Sequence, residues 1–278
     1  MKFNPSQIFA LLCLAQTANA ALTVSVSSSS SNWTPLAGNF DSFTDSNDSD
    51  ANIVGDTANP GMLFIFDDNG TPDDHTDGWL GFRVRLDDVA SSSSRPDSVV
   101  GIAIDAGANG DINAFIAYDP KAVSNSPRIV LSSGTGTTPG NTLIGASAST
   151  SPYEINTSIS NFDYRAVVAG SDSVTDDVTT AATGDIDYYV SFLVPFADLI
   201  SVLGNGADDR TVFRYLSYTA TQGQNINQDY GGVDGTPDST TTWVALGALS
   251  TPASVPEPSS ALLTFGALTG FLLIRRRR

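Results

Sequence analysis

Cysteine is all but missing from this chain: Cys13 is the only one in 278 residues. A body without thiols forms no disulfide, no thiolate zinc site and no cysteine nucleophile. Histidine is equally scarce, with His75 alone. A Ser-His-Asp triad would have to use it, and no G-x-S-x-G elbow surrounds any serine. A lone histidine in a loop is ordinarily incidental. Glutamate occurs only at Glu154 and Glu257, although the chain has 30 acidic residues. Every other acid is aspartate, which suits turns, whereas glutamate suits helices, so the bias argues for a loop-rich β fold. Hydrolysis by paired carboxylates has little to draw on beyond aspartate, with Glu154 the one body glutamate to serve as acid. No P-loop, dinucleotide fingerprint or H-E-x-x-H zinc motif is present. Together these absences point away from an enzyme.

Positive charge is the next shortage. Taking Lys2 and the four terminal arginines from 13 basic residues leaves 8 between Ala21 and Ser254; taking Glu257 from 30 acids leaves 29, a net charge of −21. Nucleic acid and anionic membrane surfaces need basic patches, so neither is a partner for the body. The aspartates offer hard oxygen ligands for Ca²⁺, and they also serve simply to keep a protein soluble.

Strand signals recur along this body. Leu22 to Ser28 alternates apolar and hydroxyl residues, as a first strand would. Met62 to Phe66 is a continuous apolar run. Trp79 to Leu86 alternates Phe82, Val84 and Leu86 with Arg83 and Arg85, which predicts one face inward and the arginines outward. Val99 to Ile104 and Ile112 to Tyr118 flank an Asn-Gly bend, a hairpin signature. Arg128 to Leu131, Leu143 to Ala146, Tyr164 to Val168, Asp187 to Val194, Val212 to Thr219 and Trp243 to Leu246 read as further strands. Pro195 to Ile200 reads as one short helix with proline leading it. The pattern predicts an all-β, antiparallel β-sandwich of jelly-roll type with roughly ten strands over residues 21–249. Phe64, Phe66, Phe82, Val84, Ile102, Ile104, Phe115, Phe192, Val194, Phe213 and Tyr215 are expected to face inward. The serine run Ser27 to Ser31 and the Thr/Pro/Ser linker 250–258 are expected to be poorly ordered.

The two ends differ from this body. Lys2, the apolar stretch Ile8 to Ala15 and Ala18-Asn19-Ala20 form a signal-peptide pattern over residues 1–20, with cleavage expected before Ala21. Cys13 lies inside the apolar stretch without the small residue that precedes a lipidated cysteine, so it reads as filler. At the other end come Val255, Pro256, Glu257 and Pro258, an uncharged run from Ser259 to Ile274, and Arg275, Arg276, Arg277 and Arg278. The prolines mark a hinge, and the arginines stop the segment on the cytoplasmic side. As a helix, 259–274 would span about 24 Å against roughly 30 Å of hydrocarbon, a marginal transmembrane anchor. This tail resembles the PEP-CTERM sorting signal of Gram-negative bacteria. The resemblance covers Val255 to Arg278 and implies an exosortase-type membrane enzyme as partner. It further implies export, transient inner-membrane anchoring, cleavage near Pro-Glu-Pro, and delivery to the cell surface or extracellular matrix.

Three loops carry candidate chemistry. Asp105, Asn109, Asp111 and Asn113 surround a glycine-containing bend and partly resemble a calcium loop, although Gly107 and Ile116 stand where that loop has acids. A plain Asx-rich hairpin turn accounts for the same residues. Asp67 to Asp77 is the densest acidic loop, suited to a cation, to a carbohydrate face beside Trp79, or to solvent. Thr221 to Gly232 is a polar loop in which Asn227 and Asp229 could ligate a cation and Tyr230 with the amides could hydrogen-bond a sugar. In strand rhythm and Asp/Asn-Gly loops, the body resembles extracellular carbohydrate-binding sandwich modules. The expectation is a non-enzymatic, surface-sorted sandwich that contacts exopolysaccharide and Ca²⁺. The alternative is a jelly-roll carbohydrate-active hydrolase.

Overall fold

The computed structural model describes residues 25–37, 41, 51–69, 75–87, 95–123, 126–133, 138–147, 153–178, 186–204, 206–208, 210–233, 241–246 and 249–253. The expected signal peptide 1–20 and its expected cleavage before Ala21, the Pro-Glu-Pro motif and the tail 259–278 all lie outside the described residues. Among those described, no helix is long and apolar enough to cross a membrane.

The chain is mostly antiparallel β, arranged as two sheets. One has the strand order β1 (Thr34–Pro35), β2 (Met62–Asp67), β3 (Trp79–Leu86), β9 (Tyr188–Pro195), β8 (Phe162–Ala166). The other runs β11 (Asp229–Tyr230), β10 (Phe213–Ala220), β4 (Val99–Ala106), β5 (Ala114–Val123), β6 (Ser126–Ser132), β7 (Tyr153–Asn156). The chain crosses between sheets after β3, returns after β7 and crosses again after β9, so β3 lies beside β9 and β4 beside β10. A short helix, α1 (Phe196–Leu203), directly follows Pro195, turns Phe196 and Leu199 inward, and ends at Gly204 with a positive φ of 58°. That φ favours a residue without a Cβ.

Between the sheets, Phe64, Phe82, Val84, Phe192 and Val194 meet Ile102, Ile104, Phe213 and Tyr215 in one buried cluster. Phe82 and Tyr215 join the two sheets edge to face at 5.0 Å, and Phe64 stacks on Tyr215 at 5.9 Å. Such pairs add to the area they bury. Phe66 is half-buried against this cluster. Phe115 departs from expectation: it is buried on the outer face of the six-stranded sheet, with Tyr218, Tyr230 and Trp243. That second cluster exists because the segment after β11 folds over the sheet.

Several other expectations are corrected in the same way. Trp243–Leu246 forms a helical turn, α2, rather than a closing strand, because the Thr242 hydroxyl accepts the Ala245 N–H and caps it. Residues 25–28 form a turn, and Gly145–Ser147 a 3-10 turn in place of a strand. The serine run is ordered: Ser30–Asn32 is a 3-10 turn that leads Trp33 onto the outer face of the five-stranded sheet. With Val26, Val167, Tyr189 and Leu193, Trp33 makes a third buried cluster there. Arg83 and Arg85 therefore face the expected side of β3 but are fully buried.

Candidate functional site

The buried arginines lie in a polar layer beneath the N-terminal turn and the segment 167–178. Arg83 donates from Nε to Ser191 Oγ (2.9 Å), from Nη1 to Ser30 Oγ (2.9 Å), and from Nη2 to the carbonyls of Val26 (2.9 Å) and Ser28 (2.8 Å). Its guanidinium lies 4.4 Å from the Trp33 ring centroid. Burial pulls its pKa down to about 10, which leaves it charged at neutral pH.

Arg85 donates from Nε to Asp187 Oδ2 (2.5 Å), from Nη1 to Ser173 Oγ (2.6 Å) and from Nη2 to the Thr175 carbonyl (3.0 Å). Leu86 pairs with Tyr188 at the end of the β3–β9 ladder, so Asp87 and Asp187 stand opposite each other one step beyond it. Directly opposed like charges are destabilising. Asp177 joins them, and one carboxylate oxygen from each of Asp87, Asp177 and Asp187 lies within 4.8 Å of the others. Asp187 is fully buried: its Oδ2 also accepts the Val178 N–H (3.1 Å), but its Oδ1 has no hydrogen-bond partner among the described residues. Burial, opposed by Arg85 and reinforced by Asp87 and Asp177, pushes the Asp187 carboxyl up to about 7.

The sequence-predicted loops have other arrangements. Asp105 is fully buried; its carboxylate accepts the N–H groups of Asn109 (3.0 Å) and Gly110 (2.8 Å), with Arg214 Nη1 4.0 Å away. Asn113 Oδ1 accepts the Ala106 N–H, and Asn109 Oδ1 accepts the Asp111 N–H. The bend thus directs these oxygens at its own backbone, in the manner of an Asx-rich turn. In the acidic loop, Asp67 Oδ1 accepts the Asn69 N–H and His75–Asp77 form a 3-10 turn, while residues 70–74 lie outside the described set. In the 221–232 loop, Asp229 is buried and accepts the N–H groups of Ile53 and Tyr230, and Asn227 Oδ1 accepts the Thr221 N–H. Tyr230 is also buried and gives its hydroxyl to the Ile226 carbonyl, which corrects its assignment as a sugar contact.

The same loop nevertheless forms one wall of an open cleft of about 560 Å³, lined by Gly140, Asn141, Leu143, Ser147, Gln224 and Asn225. Asn225 Nδ2 donates to the Gly140 carbonyl (3.1 Å), and the Ile144 N–H donates to the Gly223 carbonyl (3.1 Å), so the β6–β7 and β10–β11 connections are locked together. Gly145 and Gly223 close around Asp119, where a Cβ would lie 2.9 and 3.1 Å from its Oδ2. Asn141 and Gln224 are exposed. The lining has amide and hydroxyl groups and no ionisable side chain.

No protein-family model, curated protein or solved structure matches the chain. Sequence reasoning passed over Asp87, Asp177 and Asp187, which come from three separate stretches. The available signal was an acid immediately after one strong strand and another immediately before a second, which becomes informative once β3 and β9 are known to pair.

Proposed function

We propose that this chain is an exported sandwich of jelly-roll type, anchored briefly in the inner membrane through 259–278 and released near Pro256-Glu257-Pro258 by an exosortase-type enzyme. At the cell surface or in the extracellular matrix it contacts exopolysaccharide without turning it over. The sorting steps rest on the order of motifs at the two ends of the sequence. The observation that carries the binding role is the open cleft between the β6–β7 and β10–β11 connections. Amide side chains both donate and accept hydrogen bonds, which matches the hydroxyls of a neutral sugar, and an open groove admits a polymer at any point along its length. A hydrolase would need two carboxyl groups facing across a groove. None lines this one, which supports binding over turnover.

The test is affinity electrophoresis and a glycan array with the full-length protein and its Asn141→Ala, Gln224→Ala and doubly substituted forms. Both side chains are exposed, so the fold is preserved. Each substitution is expected to weaken binding roughly threefold to tenfold, the worth of a lost hydrogen bond. Absence of polysaccharide binding, or full affinity in the double variant, would contradict the assignment.

A further inference from the structure

We propose that Asp87, Asp177 and Asp187 form a calcium site that ties the segment 173–178 to the open end of the β3–β9 ladder. Three observations converge on it. The three carboxylates place an oxygen each within 4.8 Å of one another, inside the reach of a single ion, since oxygens on opposite sides of a Ca²⁺ are about 4.6–5.2 Å apart. Asp187, a member of this cluster, has an Oδ1 with no hydrogen-bond partner among the described residues, on a side chain with no exposed surface. A buried carboxylate oxygen without a donor is costly, and an ion supplies what the polypeptide does not. Finally, in the ionised form that ligates a cation, the three aspartates with Arg85 on Asp187 sum to −2, which one dication cancels.

The donor set selects the class of ion. It contains only carboxylate oxygens, the preference of hard cations, and neither imidazole nor thiolate to favour a transition metal. The ligands come from the end of β3, the start of β9 and the 173–178 segment, which are not one rigid loop. Ca²⁺ tolerates such an irregular shell and completes it with water, whereas Mg²⁺ demands near-octahedral geometry at shorter distances. Arg85 and the ion then divide the work. The guanidinium holds Ser173 Oγ, the Thr175 carbonyl and Asp187 Oδ2, and the ion would draw one oxygen from each of the three carboxylates. The Asp87–Asp187 opposition, unfavourable for bare charges, becomes a clamp in a body that has no disulfide.

The experiment is calorimetric titration of CaCl₂ and of MgCl₂ into chelator-treated full-length protein at about 150 mM NaCl, which screens non-specific charge effects. Amide hydrogen exchange of 173–178 is followed in parallel. A single Ca²⁺ per chain is expected, with Mg²⁺ at least about tenfold weaker, and exchange of 173–178 slowing when Ca²⁺ is added. Asp187→Asn and Asp177→Asn should each weaken Ca²⁺ at least about tenfold. Asp177 is only half-buried, so Asp177→Asn keeps the test decisive if the Asp187 variant does not fold. Asp111→Ala, in the Asn-Gly bend, should bind as the unaltered protein does. Absence of calcium binding, equal affinity for Mg²⁺, full affinity in Asp177→Asn, or loss of binding in Asp111→Ala would each overturn the site. The result is independent of whether the cleft takes a polysaccharide.

Discussion

Arg83 holds four polar partners with a charged side chain that has no exposed surface. A planar guanidinium can do this because its donors diverge in a fixed fork, while its flat faces pack on Trp33 and Tyr189. Arg83→Met would keep most of the volume but leave the Val26 and Ser28 carbonyls and two serine hydroxyls short of a donor. Urea denaturation should show a loss of about 3 kcal/mol or more, and a loss under about 1 kcal/mol would mean that water or repacking replaces those bonds. Alternation along β3 correctly put Phe82, Val84 and Leu86 on one face and the arginines on the other. It gave no sign that the second face is covered too, because the cover comes from Val26 and Trp33, more than forty positions away in sequence. Asp105 illustrates the reverse difficulty: its spacing to Asn109 and Asn113 suits an ion and a turn alike, and only the direction of the backbone amides separates them.

Among the elements, the segment 168–178 is held to the sheet largely by polar contacts. Asp172 is its anchor, accepting from Arg165 Nη1 and Nη2 (2.5 and 2.7 Å) and from the backbone N–H groups of Ser30 and Val168 (3.2 Å each). Burial alone would raise its pKa, but the bonds from Arg165, Ser30 and Val168 and the charge of Arg165 outweigh burial and hold it below the ordinary carboxylate range. A carboxyl that is more acidic when folded contributes stability above its unfolded pKa and loses it as pH falls toward the folded value. Asp172→Asn should therefore cost roughly 1–2 kcal/mol at pH 7, and the gap in melting temperature from the unaltered protein should narrow below about pH 4. A gap that stays constant from pH 7 to pH 3 would show that shape, not charge, makes the contact. Elements such as β2, β3, β9 and β10 were legible because each has six to eight residues of strong apolar pattern. By contrast β7 and β11 have four and two residues and draw their strand character from the neighbours they pair with. Trp243–Leu246 carries a strand-like composition, yet its Thr242 cap and its packing on Phe115 decide for a helical turn.

At the scale of the whole molecule, a body with 29 acids and 8 bases folds against its own charge, and compaction brings like charges together. It has no cysteine with which to offset that cost. Instead, three apolar clusters fill the space between the sheets and the outer face of each, and Arg85 and Arg165 sit where aspartates converge. A surface dominated by one sign of charge favours solubility and disfavours contact with nucleic acid and anionic lipid. The proposed export route rests on the two ends: a signal-peptide pattern over 1–20, and the Pro-Glu-Pro, apolar and tetra-arginine order over 255–278. The most direct test of this account is intact-mass and terminal-peptide analysis of the protein recovered from the cell surface and medium of its host. The account predicts chains that begin at Ala21 and end near Pro256-Glu257-Pro258, without Arg275 to Arg278. Surface-located molecules that retain the arginine tail, or a protein found only in the cytoplasm with Met1 to Ala20 still attached, would contradict it.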